Sequence, residues 1–407
     1  MVCWAILAQE TRAGGKKMSD SNTMPIKMVA TRDHLPAAAP ASSGVDCLRP
    51  FANERLNSRL ASALPHGDWK IRWTASLPSS GLFTAILHSG ERTLITGRAE
   101  WRLFDKAGHQ LAADVTTGDD AEIDPAHGLF YIPNRYGNLA AYRLADGHAD
   151  YRFPVEGTPD YSRTLVHRFD NKFAVASSKR SVNPMNPTPV RISALEMHEL
   201  TEPRRMDQDL LTSEHQIAIR QYEASRLYTA FHGNLLAVTA LTNVLEYLDP
   251  ALIVKRNYSG TFEPQALSLD ETGRVYMLVQ NALWLVSHRG EVLEVKLDSP
   301  VLPLPPIVGH NHAIYLVGVN QVTAITEGGK IAWHFSSTTG RIAGAMITGD
   351  DQLLTAAGSA VVSLNPTTGA PTVLHDFGKE AIIAPPVLTS GGELMVATVN
   401  HLYALSH

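Results

Sequence analysis

A repeat of about 40 residues, short runs of alternating apolar side chains and tight turns that end in glycine predict an all-β chain, an eight-bladed β-propeller of four-stranded antiparallel blades. The turns RLFDKAG, YRLADG, WLVSHRG, TAITEGG and SLNPTTG close on Gly108, Gly147, Gly290, Gly329 and Gly369. Gly108 to Gly147 and Gly290 to Gly329 each span 39 positions, and Gly329 to Gly369 spans 40. A step of 39 back from Gly290 reaches Ala251, in a turn of the same shape, and one back from Gly108 reaches Trp69. Forward from Gly369, 38 residues end the chain at His407. The 104 positions from Gly147 to Ala251 hold two periods and 26 further residues, assigned to insertions at Ser177–Arg191 and Glu199–Glu214. Eight periods thus fill 69–407. A solenoid is the rival, weakened by the lack of helical periodicity within units and of polar end repeats.

Four strands fit each unit. The seventh reads Lys330–Ser336, Ile342–Thr348, Gln352–Gly358 and Ala360–Asn365. Near-continuous apolar strands suit a blade covered on both faces. The leading strands of the units, WKIRW, HQLAADV, HADYRFPV, LIVKRNYS, EVLEVKLD, KIAWHFS and TVLHDF, are expected innermost, around a central channel.

Ahead of the repeats, residues 1–46 are rich in Ala, Ser, Pro, Gly and Lys with no apolar period, and are expected to form a disordered tail. Over 47–68, Phe51, Leu56, Leu60 and Leu64 recur at helical spacing after Pro50, which predicts a short helical lead-in.

Composition narrows the function. With 44% hydrophobic and 18% charged residues the chain is globular, and a net charge of -5 gives no basic field for nucleic acid. Cys3 and Cys47, the two cysteines, form no CxxC pair for zinc or redox exchange. No run approaches the roughly 20 apolar residues of a membrane span, so no membrane insertion is expected. Val2–Ala8 lacks a basic stretch before it, and no lipoprotein cleavage pattern precedes either cysteine. The expected compartment is the cytoplasm, or the periplasm if the true start or an export signal is missing, since Met18 is an equally natural beginning.

The unit TAITEGGKIAWHFS, with Ala324, Gly329 and Trp333, resembles the quinoprotein-type, PQQ-like propeller repeat, and Ala141, Gly147 and Phe153 follow it. The resemblance covers units one, two and five to eight. It implies either an enzyme that holds pyrroloquinoline quinone with calcium or a non-catalytic scaffold. The enzymes carry adjacent cysteines against the quinone. This chain has none, which favours the scaffold branch and no cofactor.

Chemistry-bearing residues are few. His310 and His312 lie two apart, so on a strand they share a face and could share an ion, but no third ligand is set by spacing, and GHNH also reads as a polar turn between second and third strands. Turns at that place also carry His88, His127 and His232. The pairs Asp119, Asp120 and Asp350, Asp351 could act as acid and base or hold calcium, yet sit in turns where Asp serves its own backbone. No catalytic or metal site is therefore assigned. Turns read as joining third and fourth strands carry Arg135, Tyr136, Asn138, Asn243, Asn281, Asn320, Gln321, Asn400 and His401, a recognition surface or simply good hairpin residues.

These observations predict a non-enzymatic scaffold for protein–protein interaction, as a subunit of a larger assembly. Its partner is expected to be another protein with an acidic surface, met by a proline-stiffened basic loop bearing Lys179, Arg180 and Arg191, by Arg204 and Arg205 nearby, and by Arg135 and Tyr136. The alternative is a ligand- or metal-binding propeller enzyme, lyase or quinoprotein-like, with its site in the central channel.

Overall fold

The computed structural model describes Cys47 and residues 58–407, leaving aside 79–81, 116–120, 134–138, 154–160, 200–215 and shorter stretches between 170 and 310. Among the described residues there is no helix, and the strands build eight four-stranded antiparallel sheets. Sheets 1 to 7 each use four consecutive strands, within 83–114, 122–153, 161–222, 227–259, 264–296, 307–336 and 342–376. Sheet 8 takes Val387–Leu388, Leu394–Ala397 and His401–Ser406 from one end of the domain and Lys70–Ser76 from the other. Lys70 pairs with Ser406 and Ser76 with His401, so the two ends meet as the repeat count predicts. Trp69 lies just before, its ring 5.9 Å from that of His407.

The first strands form the inner ring. Phe83–Ser89 contacts Val387–Leu388 on one side and Glu122–Asp124 on the other, while Pro264–Leu269 contacts Leu227–His232 and Ile307–Val308. Second and third strands such as Val275–Val279 and Ala282–Val286 are almost wholly buried between neighbouring sheets. Fourth strands are the exposed rim, as Lys70–Ser76 and Pro371–Asp376 show. This corrects one expectation. WKIRW, HQLAADV, HADYRFPV, LIVKRNYS, EVLEVKLD, KIAWHFS and TVLHDF are the outermost strands, each the fourth of its sheet. A repeat has the same period wherever it is cut, so counting could not say which strand begins a sheet.

The repeated glycine is where adjacent sheets touch. Gly369, at φ +71°, ends a turn in which the Asn365 carboxamide accepts from Thr367 N and Thr368 N. A Cβ there would stand 2.6 Å from the indole of Trp333, which lies on the fourth strand of the preceding sheet and donates from Nε1 to Pro366 O at 2.9 Å. Gly108 meets Trp73 in the same way, at 2.5 Å, and Gly329 faces Leu293 and Val295. The period seen in the sequence is thus the period of a close backbone-to-side-chain approach across sheet boundaries, made by an indole at Gly108 and Gly369, by Val295 and Leu293 at Gly329 and by Ala112 at Gly147. Gly369→Ala should cost about 2–4 kcal/mol, adding the left-handed penalty to displacement of the indole. Gly128→Ala, at φ +65° with no atom within 4 Å of its Cβ, should cost only about 1–2 kcal/mol. Urea midpoints measure both, and equal losses would show that the indole yields freely.

The helical lead-in is corrected where it is described. Residues 58–69 form no helix: they are irregular, with Arg59 bridged in parallel to Ile347. Leu60 and Leu64 are buried as expected of an apolar face, but Leu60 N donates to Ile347 O on the edge of sheet 7 and Leu64 N to the Asp350 carboxylate, rather than to a helix. The proposed tail, residues 1–46, lies outside the described residues. No helix among those described is long and apolar enough to cross a membrane.

Candidate interaction surface

Antiparallel sheets sort their connections to two ends of the ring. First–second and third–fourth turns share one end; second–third turns and the links between sheets share the other. Asn281, Asn320 and Asn400 fall in second–third turns, which corrects the strand numbering but keeps them on one end. All three are exposed. Their backbone carbonyls accept from Leu297 N, Ser337 N and Leu77 N, tying down the chain as it leaves each fourth strand. The backbone of these asparagines is structural, while their carboxamides face outward.

Beside them lie two polar clusters. Gln321 Nε2 is 2.5 Å from His334 Nδ1, and His334 Nε2 is 3.2 Å from Asp298. Glu380 takes hydrogen bonds from Thr398 Oγ1 at 2.6 Å, His401 Nδ1 at 2.9 Å and Tyr403 OH at 3.2 Å. Burial opposes its charge, yet these donors hold the Glu380 carboxyl below the usual carboxylate range. Exposed apolar side chains gather at the same end: Leu82, Val115, Val319 and Val399 all lie in second–third turns or links. The other large exposed hydrophobics, Ile71, Leu111, Leu293 and Val373, sit on outer strands. Sequence reading missed this apolar set. Its signal was a lone valine or leucine inside an otherwise polar turn.

The insertion at Ser177–Arg191 is not a loop. Lys172–Asn183 and Asn186–Glu199 are the second and third strands of sheet 3, paired Arg180 with Arg191 and Asn183 with Asn186. The first strand reaches only to Lys179 and the fourth only to Ser193, so residues 180–183 and 186–191 stand beyond the sheet as a two-stranded ribbon. It springs from the end that carries Asn281, Asn320 and Asn400. Elsewhere the same connection is short, as at 280–281 and 358–359. Lys179, Arg180 and Arg191 are thus brought together on this hairpin. Arg135, Tyr136, Asn138, Asn243, Arg204 and Arg205 lie outside the described residues.

At the opposite end are the candidates for catalysis. His312, at φ 58°, lies in a first–second turn of sheet 6, which corrects its placing, with Nδ1 3.6 Å from Asp270. His310, Asp119 and Asp120 lie outside the described residues. His88 is buried against Thr93 Oγ1 at 3.0 Å, and His127 pairs with Asp124 of its own turn. Asp350 accepts from Thr348 Oγ1 at 2.6 Å and Leu64 N at 3.0 Å, and burial pushes the Asp351 carboxyl up. The contacts of His88, His127 and the Asp350–Thr348 pair are local to their turns, whereas Asp350–Leu64 and His312–Asp270 tie separate parts of the chain together. Among the described residues no group of three or more His, Cys, Asp or Glu is placed to hold a metal.

No protein-family model matches the sequence, and no curated protein does. Solved structures do match. A quinohemoprotein alcohol dehydrogenase from Comamonas testosteroni aligns over 90% of this chain and 81% of its own, at TM-score 0.65 and 11% identity. The quinohemoprotein alcohol dehydrogenase ADHIIG from Pseudomonas putida HK5 aligns over 92% and 83%, at TM-score 0.65 and 9% identity. BamB from Moraxella catarrhalis aligns over 83% of this chain and 100% of its own, at TM-score 0.58 and 12% identity. The identities are too low to transfer activity, so these likenesses bear on architecture: the chain is a β-propeller of four-stranded sheets, with the PQQ-like fold that both the dehydrogenases and BamB adopt.

Proposed function

We propose that the protein is a non-enzymatic scaffold within a larger assembly and that it meets its protein partner through the end bearing the ribbon of 180–183 and 186–191. The ribbon carries the reading. Sheet 3 closes without it, and a two-stranded ribbon on its own is marginal in water, so its persistence asks for a use. Its return strand holds Pro187 and Pro189, which fall where the register shifts between the pairs Ser181–Val190 and Asn183–Asn186. A proline cannot donate into a ladder, so both sit in this irregularity, which blunts the ribbon against casual strand pairing. What remains for recognition is side chains: Lys179, Arg180 and Arg191 on a chain of net charge -5. An acidic partner surface complements them. The exposed apolar and carboxamide residues of the same end would surround that contact.

The enzymatic alternative, with a site in the channel, shares its fold with the dehydrogenases and needs its own test. Replacing 180–191 by Asn-Gly between Lys179 and Ile192 should leave the melting temperature within a few degrees and lose the specific partners recovered from the native host. Retention of every partner by the folded, trimmed protein would move the binding face elsewhere. Elemental analysis and melting with calcium and pyrroloquinoline quinone complete the comparison. A stoichiometric metal, or a large stabilisation by the quinone, would replace the scaffold by the enzyme.

A further inference from the structure

The inner edges of first strands face the axis of the ring, and in two sheets the chain itself covers them. In sheet 7, Ile347 N donates to Ser58 O and Leu60 N to Ile347 O, both at 2.8 Å, while Gly349 N donates to Ser62 O at 2.7 Å. Ile347 faces Leu353 across the ladder, but the neighbouring Thr348 N is the one that bonds to Gln352 O, so Ile347 offers its backbone to the axis side. In sheet 1, His88 N donates to Cys47 O at 2.7 Å, and Cys47 Sγ reaches Ile86 O at 3.5 Å. Side chains complete the seat. Cys47, Leu60 and Leu64 belong to the apolar cluster that unites sheets 7, 8 and 1. Arg59 pairs with Glu271 on a turn of sheet 5, and Asp350 accepts from Leu64 N.

From these contacts we infer that Cys47 and residues 58–64 act as one strap, seated on the inner edges of sheets 1 and 7 at the end of the first–second turns and released as a unit. The seat spans several sheets: 1 through Cys47, 7 through 58–64 and 5 through Arg59. Gly349 is shaped to it. A Cβ on Gly349 would collide with Ala61 O and lie 3.0 Å from its carbonyl carbon, whereas its φ is not left-handed and puts no other bar on a side chain. The inference is independent of the scaffold reading, because it concerns the opposite end of the ring.

Cys47, buried in the seat, reports on the strap. In a Cys3→Ser chain, thiol labelling of Cys47 should be at least about 100-fold slower than in urea, as for a group exposed only by an opening event. Gly349→Ala should speed it about tenfold or more, by unseating the strap alone. Amide exchange distinguishes this from general loosening. The amides of His88, Ile347 and Gly349 should lose protection together while Thr348 N and the outer ladders keep theirs. Free labelling of Cys47 in the parent would overturn the inference. So would an unchanged rate in Gly349→Ala, or loss of all protection at once.

Discussion

A chain lacking Asn400–His407 should show no cooperative unfolding transition. His401–Ser406 lies inside sheet 8, between Leu394–Ala397 and Lys70–Ser76, so its removal strips Lys70–Ser76 of its ladder partner and bares the edge of Leu394–Ala397. Leu402, Ala404 and Leu405 are fully buried and Tyr403 nearly so. Each large side chain contributes roughly 1.5–3 kcal/mol by burial, and their sum with the lost ladder approaches the roughly 5–15 kcal/mol of a whole domain. The loss also spreads, because these side chains share one cluster with sheets 7 and 1 and with the strap. Circular dichroism on heating and size-exclusion chromatography read the result. A single transition within a few degrees of the parent would mean that the ring does not depend on closure.

The architecture was legible because its punctuation is physical. Gly108, Gly329 and Gly369 recur at fixed spacing since each must take positive φ under a neighbour's side chain, and that demand leaves a mark no surface drift erases. The meeting of Lys70–Ser76 with His401–Ser406 followed from the count. Strand roles were not legible from the period, but burial would have told them. LLTAA and AVVSL carry no charge and are buried throughout, whereas KIRWTAS and PTVLHD carry charges and form the rim. Over 58–68, the described stretch of the expected helical lead-in, the reading missed for another reason. Leu60 and Leu64 are four apart, which suits one helix face, but an irregular chain can also bury both when it runs along a sheet edge and then over sheet 8.

The site was less legible. Ser177–Arg191 stood out as surplus length, and the surplus is real, but prolines and basic residues suggested a loop where the chain continues its ladder. The strap left almost no trace, since its hold is mostly backbone. Only Gly349, a glycine whose conformation does not require one, betrays a chain passing overhead.

Asp270→Ala should be the most damaging single substitution in a turn, at about 3–5 kcal/mol, because it orphans several donors at once. Asp270 is buried, and its Oδ1 accepts from Thr272 N, Thr272 Oγ1 and Arg274 N at 2.7–3.0 Å. Its Oδ2 accepts from the buried Tyr276 hydroxyl at 2.9 Å. Burial, with the Asp270 charge adding to it, pushes the Tyr276 hydroxyl far above its usual range, so that the proton stays on the phenol as donor. Alanine leaves that donor without its acceptor in a site closed to water. Asparagine keeps an acceptor for the turn amides, and Asp270→Asn should cost about 1–2 kcal/mol, the value of exchanging charged for neutral hydrogen bonds. Urea midpoints at constant slope measure both. The effect should travel outward along the chain, because the turn that Asp270 sets holds Glu271, and Glu271 holds Arg59 of the strap. In Asp270→Ala, Cys47 should therefore label faster than the global loss of stability accounts for. If the alanine variant matches the parent in midpoint, the turn stands on its backbone bonds alone and Asp270 does not govern the strap.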